Sequence, residues 1–247
     1  MPFSIDINCD MGEGMSNDAL IMPFISSANI ACGFHAGNEQ IMQQTIELAL
    51  QHNVAIGAHP SFPDKENFGR TNMHLPPEEI YTIVKEQIET LAEIAAKNNC
   101  KLHHVKPHGA LYNRAAKDKE LSTAICKAIK EIDASLLVYA LSGSKLIDVA
   151  ASMGLQACNE VFADRTYQPD GNLTPRSLPD ALLLNEEAVT KQVLQILLEK
   201  NVTSTDGKII YLKADSVCVH GDGAHAVDFV RSIYNTLKEN NITLSSS

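Results

Sequence analysis

Short apolar segments alternate with helical patterns along nearly the whole chain, and this alternation restricts the fold more than any other feature. Residues 3–9, 27–32, 54–59, 101–106, 136–141, 155–162, 208–212 and 216–220 read as strands. Residues 38–52, 121–132, 145–152, 186–200 and 224–239 read as helices, and a longer helix opens at Pro76-Pro77 and ends near Asn98-Asn99. In that helix Ile80, Ile83, Val84, Ile88, Leu91 and Ile94 recur at helical spacing, and Glu78 and Glu79 suit its N-terminal dipole. Asp206-Gly207 marks a turn before 208–212. Strands separated by helices imply parallel pairing with right-handed crossovers. A closed barrel and an open doubly wound sheet both fit. No G-x-G-x-x-G turn follows the first strand, which weakens a dinucleotide-binding sheet. The expectation is therefore an α/β fold, a TIM-like β/α barrel of seven strands with irregular closure, built as one domain over residues 1–247.

In parallel α/β folds ligands bind at the carboxyl ends of the strands. Strand one leads into Asn8, Asp10 and Glu13, and strand two into His35 and Asn38. Strand three leads into His59 and Asp64, with Arg70 beyond. Strand four supplies Lys106, His108 and Asn113. Later strands supply Glu160, Asp164 and Arg165, then His220 and Asp222. A histidine after one strand is commonly structural; His35, His59, His108 and His220 on one rim point instead to a shared site. Plainer roles stand beside some of these. Asp10 and Glu13 suit a helix start, Arg70 a surface pair, and Asp164-Arg165 a structural ion pair. His52, His74, His103, His104 and His225 read as ordinary helix, loop or strand residues.

Asp, Glu and His together suit two chemistries. One is divalent-metal hydrolysis, with Asp10, His35 and His59 as candidate ligands. The other is metal-free acid–base opening of an amide, with Lys106 or Arg165 stabilising charge. No HExxH, CxxC or Walker A spacing is present. A net charge of −10 with no Lys/Arg cluster argues against nucleic-acid binding. No apolar run is long enough to span a membrane, and the N-terminus has no secretory pattern. Six scattered cysteines fit a reduced, cytoplasmic protein.

The segments DINCDMGEG, ANIACGFHAGN, GAHPSFPD, FGR, VKPHGALYN, EVFADRTYQPDGNLTPR and VCVHGD, in this order, resemble the LamB/YcsF family. The resemblance runs from about residue 4 to about residue 240. That family is understood as the A component of the prokaryotic ATP-dependent 5-oxoprolinase. The resemblance implies a seven-stranded β/α barrel related to glycoside hydrolases and polysaccharide deacetylases. It implies cleavage of 5-oxo-L-proline to L-glutamate, coupled to hydrolysis of ATP to ADP and phosphate, in a complex with 5-oxoprolinase subunits B and C. The family's polar motif positions correspond here to Asp6, Asn8, Asp10, Glu13, His35, His59, Lys106, His108, Asp164, Arg165, His220 and Asp222. Met15-Ser16 and Pro179-Asp180-Ala181 depart from its pattern. The expected catalytic set is Asp10, Glu13, His35, His59, Lys106, His108, His220 and Asp222. Asn8, Asn38, Arg70, Asp164 and Arg165 are expected to bind substrate. ATP would be a co-substrate of the complex, a divalent metal an optional cofactor, and a homo-oligomer is allowed. Two rivals are a metal-dependent deacetylase or amidohydrolase and a non-catalytic carbohydrate- or regulator-binding subunit.

Overall fold

In a computed structural model, the structure describes residues 4–221 and 225–247. Its strands, in chain order, are β1 (Ser4–Met11), β2 (Ser27–Ala31), β3 (Ala55–His59), β4 (His104–Val105), β5 (Leu137–Leu141), β6 (Ala157–Phe162), β7 (Asn201–Thr203), β8 (Ile209–Tyr211), β9 (Ser216–Val219) and β10 (Thr243–Leu244). The helices are α1 (Asp18–Ile21), α2 (Glu39–Gln51), α3 (Pro77–Lys97), α4 (Gly109–Ala115), α5 (Lys119–Ile132), α6 (Lys145–Ser152), α7 (Glu186–Leu194) and α8 (Ala226–Glu239). Strands β1 to β6 pair in parallel in sequence order, β9 follows β6, and β9 pairs back onto β1. Seven strands thus close a TIM-like barrel, as expected from the alternation. Strand β10 adds to the start of β1, pairing Ser4 with Thr243.

Helix ends follow local chemistry. Asn38, Asp118, Ser144 and Asn185 cap α2, α5, α6 and α7 by accepting backbone N–H bonds. The apolar faces of the helices pack on the outer surface of the barrel. Ile46, Ile88, Leu91, Ile125 and Ile233 are fully buried there, with Ile7, Ile30 and Val217 of the strands.

The two faces of β1 are used in reverse of a half-exposed strand. Ile5, Ile7, Cys9 and Met11 face the helical shell, and Asp6, Asn8 and Asp10 point into the barrel. The interior is therefore a stack of hydrogen-bonded polar side chains, where many such barrels carry branched apolar ones. At the lowest level Asp6 accepts from Ser26 (2.5 Å), Ser27 (2.8 Å) and Ser216 (2.5 Å). Burial raises the Asp6 pKa, and these hydroxyls offset part of the rise. Above it, Asn8 donates to Ser216 (2.7 Å), and Asn29 donates to both Asn8 and Asp10 (2.8 Å each). His104 Nε2 donates to the Asn29 side-chain oxygen at 2.7 Å, and its ring stacks on Tyr139. His104, expected to be an ordinary strand residue, is thus a fully buried member of the interior stack. Gly57, its register partner on β3, makes room for it: a Cβ there would lie 2.1 Å from His104 Nε2.

One expectation needs correction, and two unassigned segments take on structure. Residues 208–212 do not enter the barrel; β8 pairs antiparallel with β7 in a separate hairpin closed by Asp206-Gly207. Residues 201–203, just past the expected helix 186–200, form its other arm, because α7 gives way to a π turn at Gln195–Glu199 and Lys200 takes a positive φ of 57°. Residues 109–115, assigned to no element from the sequence, form α4, which starts directly beyond His108. All six cysteines are free thiols, and all but Cys100 are buried. Among the described residues no helix is long and apolar enough to cross a membrane.

Candidate active site

The carboxyl ends of the strands surround a cavity of about 960 Å³, near the upper end of the usual ~300–1,000 Å³ for small-molecule pockets. Asp10, Glu13, His59, Lys106, His108 and His220 line its floor. Strand β1 runs on to Met11, so Asp10 sits on the strand itself, in register with Asn29 of β2.

Lys106 is the centre of the floor. Its ammonium lies 2.8 Å from Glu160 Oε1 and 3.0 Å from Asp10 Oδ1, and it donates to Asn8 Oδ1 at 3.0 Å and Cys218 Sγ at 3.1 Å. Burial opposes the charged form, but Asp10, Cys218 and Glu160 overcome it and hold the Lys106 pKa well above its ordinary value. Asp10 mirrors this. Burial would raise its pKa, but His59 and Lys106 hold it well below the usual carboxylate range. Glu160 also accepts from the Tyr112 hydroxyl at 2.6 Å. The floor thus carries a fixed cation between two carboxylates.

The four expected histidines divide three and one. His59 Nδ1 donates to the Lys106 carbonyl (2.7 Å), and its Nε2 faces His108 Nδ1 (2.9 Å) and Asp10 Oδ2 (3.3 Å). His108 Nε2 donates to the Phe68 carbonyl at 3.0 Å. His35 lies behind these two. Its ring stacks on His108 at 3.8 Å, and its Nε2 meets Glu13 Oε1 at 3.0 Å. Burial and then His59 push the His35 pKa down to about 3. Burial, His35 and His59 likewise hold His108 well below its ordinary value. His220 stands apart. Its Nδ1 meets both Asp164 oxygens at 2.9 and 3.0 Å, and its ring stacks on Phe162. Burial would raise the Asp164 pKa, but His220 holds it low.

Interlocking loops set this geometry. The Lys106 and His108 amides donate to the Ala58 and Pro60 carbonyls, so the chain beyond β4 runs beside the end of β3. Ala110 N donates to the Gly69 carbonyl at 2.9 Å, which ties α4 to the loop bearing Arg70. Gly109 permits that approach: at φ +54° its Cβ position is 2.5 Å from Gly69 O. Gln87 of α3 exchanges two hydrogen bonds of 2.9 Å with the Ser61 backbone, two residues past His59. Gln192 of α7 donates to the carbonyls of Phe162, Ala163 and Arg165.

Several expected roles change. Asn38 is exposed, its side chain caps α2 by accepting from Ile41 N at 2.9 Å, and it does not line the cavity. Asn8 is fully buried beneath the floor and holds Lys106; it does not line the cavity. Asp164 holds His220 rather than forming an ion pair with Arg165. The Arg165 guanidinium donates to the Ala181 and Thr174 carbonyls, and burial and Arg176 push its pKa down to about 10. Arg70 and Arg165 do line the cavity, and Asn113 joins them. The metal candidates Asp10, His35 and His59 regroup: Glu13, His35, His59 and His108 converge, without Asp10. Asp222 lies outside the described residues. Asn29, His104, Tyr112 and Gln87 were not among the expected site residues, and Glu160 stands out in the sequence only by its place at a strand end. Higher up, Arg114, Lys117, Lys119 and Arg176 add to Arg70 and Arg165, against Asp118 and Glu120. A cationic mouth therefore opens on a protein of net charge −10.

A sequence model described as the LamB/YcsF family matches residues 5–247. A Bordetella parapertussis protein, named as the A component of 5-oxoprolinase, is 49% identical over 99% of this chain and 99% of its own length. A protein of the same name from Tolumonas auensis is 49% identical over 98% of each. The crystal structure of a lactam utilization protein from Thermus thermophilus superimposes with a TM-score of 0.94 at 37% identity, covering 99% of this chain and 100% of that one.

Proposed function

Because the chain belongs to the LamB/YcsF family, we propose that it is the A component of an ATP-dependent 5-oxoprolinase that opens 5-oxo-L-proline to L-glutamate. The observation that carries this reading is the Asp10–Lys106–Glu160 array beside His220 on the floor of a cavity with a cationic mouth. A lactam is a stable amide, and its opening needs a base for water, a proton donor for the leaving nitrogen and a cation for the developing oxyanion. His220, oriented by Asp164, suits proton transfer, since its pairing with the carboxylate fixes the tautomer. Asp10, held ionised by His59 and Lys106, suits hydrogen bonding to the attacking water. Lys106 keeps its charge and supplies positive potential to the floor. Arg70 and Arg165 suit the substrate carboxylate, and the wider cationic mouth suits a phosphoryl group.

In this reading ATP makes the opening favourable by phosphorylating the lactam oxygen. Water then adds to the ring carbon and the C–N bond breaks to leave an acyl phosphate on the side chain; a second water releases phosphate, so 5-oxo-L-proline, ATP and two waters yield glutamate, ADP and phosphate. The chain carries no Walker A loop, so any nucleotide contact it makes is of another type, such as one through the cationic mouth. A cytoplasmic setting belongs to the same reading and suits six free thiols. The test is glutamate release from 5-oxo-L-proline with ATP, using the chain alone and then with subunits B and C. Little release alone and strong release with partners is expected. Strong release by the isolated chain would refute the division of labour.

A further inference from the structure

We propose that Glu13, His59 and His108 form a site for one divalent cation of the zinc class at the cavity floor. The partners of the two rings fix where their protons must be. His59 Nδ1 and His108 Nε2 each face a backbone carbonyl, of Lys106 at 2.7 Å and of Phe68 at 3.0 Å. A carbonyl only accepts, so each of those nitrogens carries its hydrogen. With both rings neutral, as metal binding requires, His59 Nε2 and His108 Nδ1 are bare lone pairs facing each other at 2.9 Å, and the ion takes the place of the proton by which His59 otherwise pairs with Asp10 Oδ2 at 3.3 Å. Glu13 Oε1 adds a third acceptor, 3.4 Å from His108 Nδ1 and 3.9 Å from His59 Nε2. Two bare nitrogens and a carboxylate oxygen converging in a buried place offer a ready seat for a cation.

The spacing suits a metal ion. Four ligands held tetrahedrally at ~2.0–2.1 Å stand about 3.3 Å apart, and the three separations, 2.9, 3.4 and 3.9 Å, straddle that value. The backbone carbonyls behind the two rings do what outer partners of metal-bound histidines do: they fix tautomer and ring direction. Two imidazoles and one carboxylate match zinc-type ions and not calcium or magnesium, which favour oxygen ligands. Glu13, His59 and His108 all line the cavity, so a further coordination position would face it.

His35 belongs outside the ligand set. Its ring lies parallel to His108 within 6° at 3.8 Å, so the two rings cannot both direct in-plane lone pairs at one ion. Its Nε2 instead holds Glu13 Oε1 at 3.0 Å. The other cluster of ligand-type groups, Asp10, Cys218 and His220, already holds the Lys106 ammonium at 3.0 Å from Asp10 and 3.1 Å from Cys218.

The test needs neither substrate nor partners, so it stands apart from the 5-oxoprolinase reading. The full chain is stripped with a chelator, then titrated with Zn2+ by calorimetry and with Co2+ by visible absorption. One ion per chain is expected. His59→Gln, His108→Gln and Glu13→Gln should each weaken binding more than about 100-fold, beyond the ~10–100-fold that outer-shell changes cost. His35→Asn should fall within that outer-shell range, and Asp10→Asn should retain the ion. Absence of saturable uptake by the wild-type chain at millimolar metal would overturn the proposal and leave a shared proton between His59 and His108. So would folded His59→Gln and His108→Gln chains, checked by circular dichroism, that bind as tightly as wild type.

Discussion

Lys106 shows how far a single residue decides the site. It is 2% exposed, and its charge is tolerated only because Asp10 and Glu160 lie against it. Removing one member of such a group leaves uncompensated charge in the interior, at a cost of ~3–5 kcal/mol. Lys106→Met is therefore expected to lower stability by about that amount, read from urea unfolding at neutral pH; a loss below ~1 kcal/mol would mean the array is well solvated. His104 gives a second prediction, in pH. Burial holds its folded pKa well below the ordinary value, while in the unfolded chain it takes up a proton near pH 6.5. Its share of stability is thus complete above about pH 6.5 and declines as pH falls, by at most about 1.4 kcal/mol per unit. His35 and His108 act in the same direction and remain in a His104→Gln variant. Urea midpoints at pH above and below that value should therefore differ less in His104→Gln than in wild type, and equal differences would exclude the role. At this scale the sequence was partly legible. Asp6, Asn8 and Asp10 alternate visibly with Ile5, Ile7 and Cys9, but the usual expectation sends the polar face to solvent. Only closure of the barrel turns it inward, and the roles of Asn29 and His104 depend on that closure.

Among the elements, the strand ends were easier to read than what holds them. The apolar runs locate every barrel strand, and the residues just beyond them supply the cavity floor. The clamps come from helices, where sequence offers little signal. Gln87 sits among the apolar residues of α3, 1% exposed, and nothing in its spacing announces that it holds Ser61. Gln87→Leu would leave the Ser61 N–H and C=O unpaired, each worth ~1–3 kcal/mol when buried. A loss of at least ~1 kcal/mol in stability is expected, together with a change in the His59 ring signals by NMR. Unchanged His59 signals would show that the clamp does not position the site. Asn38 teaches the converse. An Asn directly before a helical run is a cap signal, and the structure uses it as one, despite its place beside a motif histidine. The β7–β8 hairpin was also half legible, since Asp206-Gly207 announces a turn. Its first arm was hidden behind the π turn that ends α7.

For the whole molecule, closure is what converts separate motifs into one site. Parallel strands in the order β1 to β6, then β9, bring Asp10 of the first strand next to Cys218 of the last. No local pattern predicts that neighbourhood; it follows from β9 returning to β1. The same closure sets a cationic mouth over a floor that holds one ammonium between two carboxylates, on a chain that is acidic as a whole. Whether this floor opens the lactam is tested most directly by single-turnover glutamate release from 5-oxo-L-proline. The complex is reassembled with subunits B and C and supplied with ATP, and wild type is compared with Asp10→Asn and His220→Asn. A fall of roughly 100- to 10,000-fold for each variant is expected, as for loss of a proton-transfer group, with the variant chains still folded and assembled. Glutamate release at the wild-type rate from either assembled variant would contradict it.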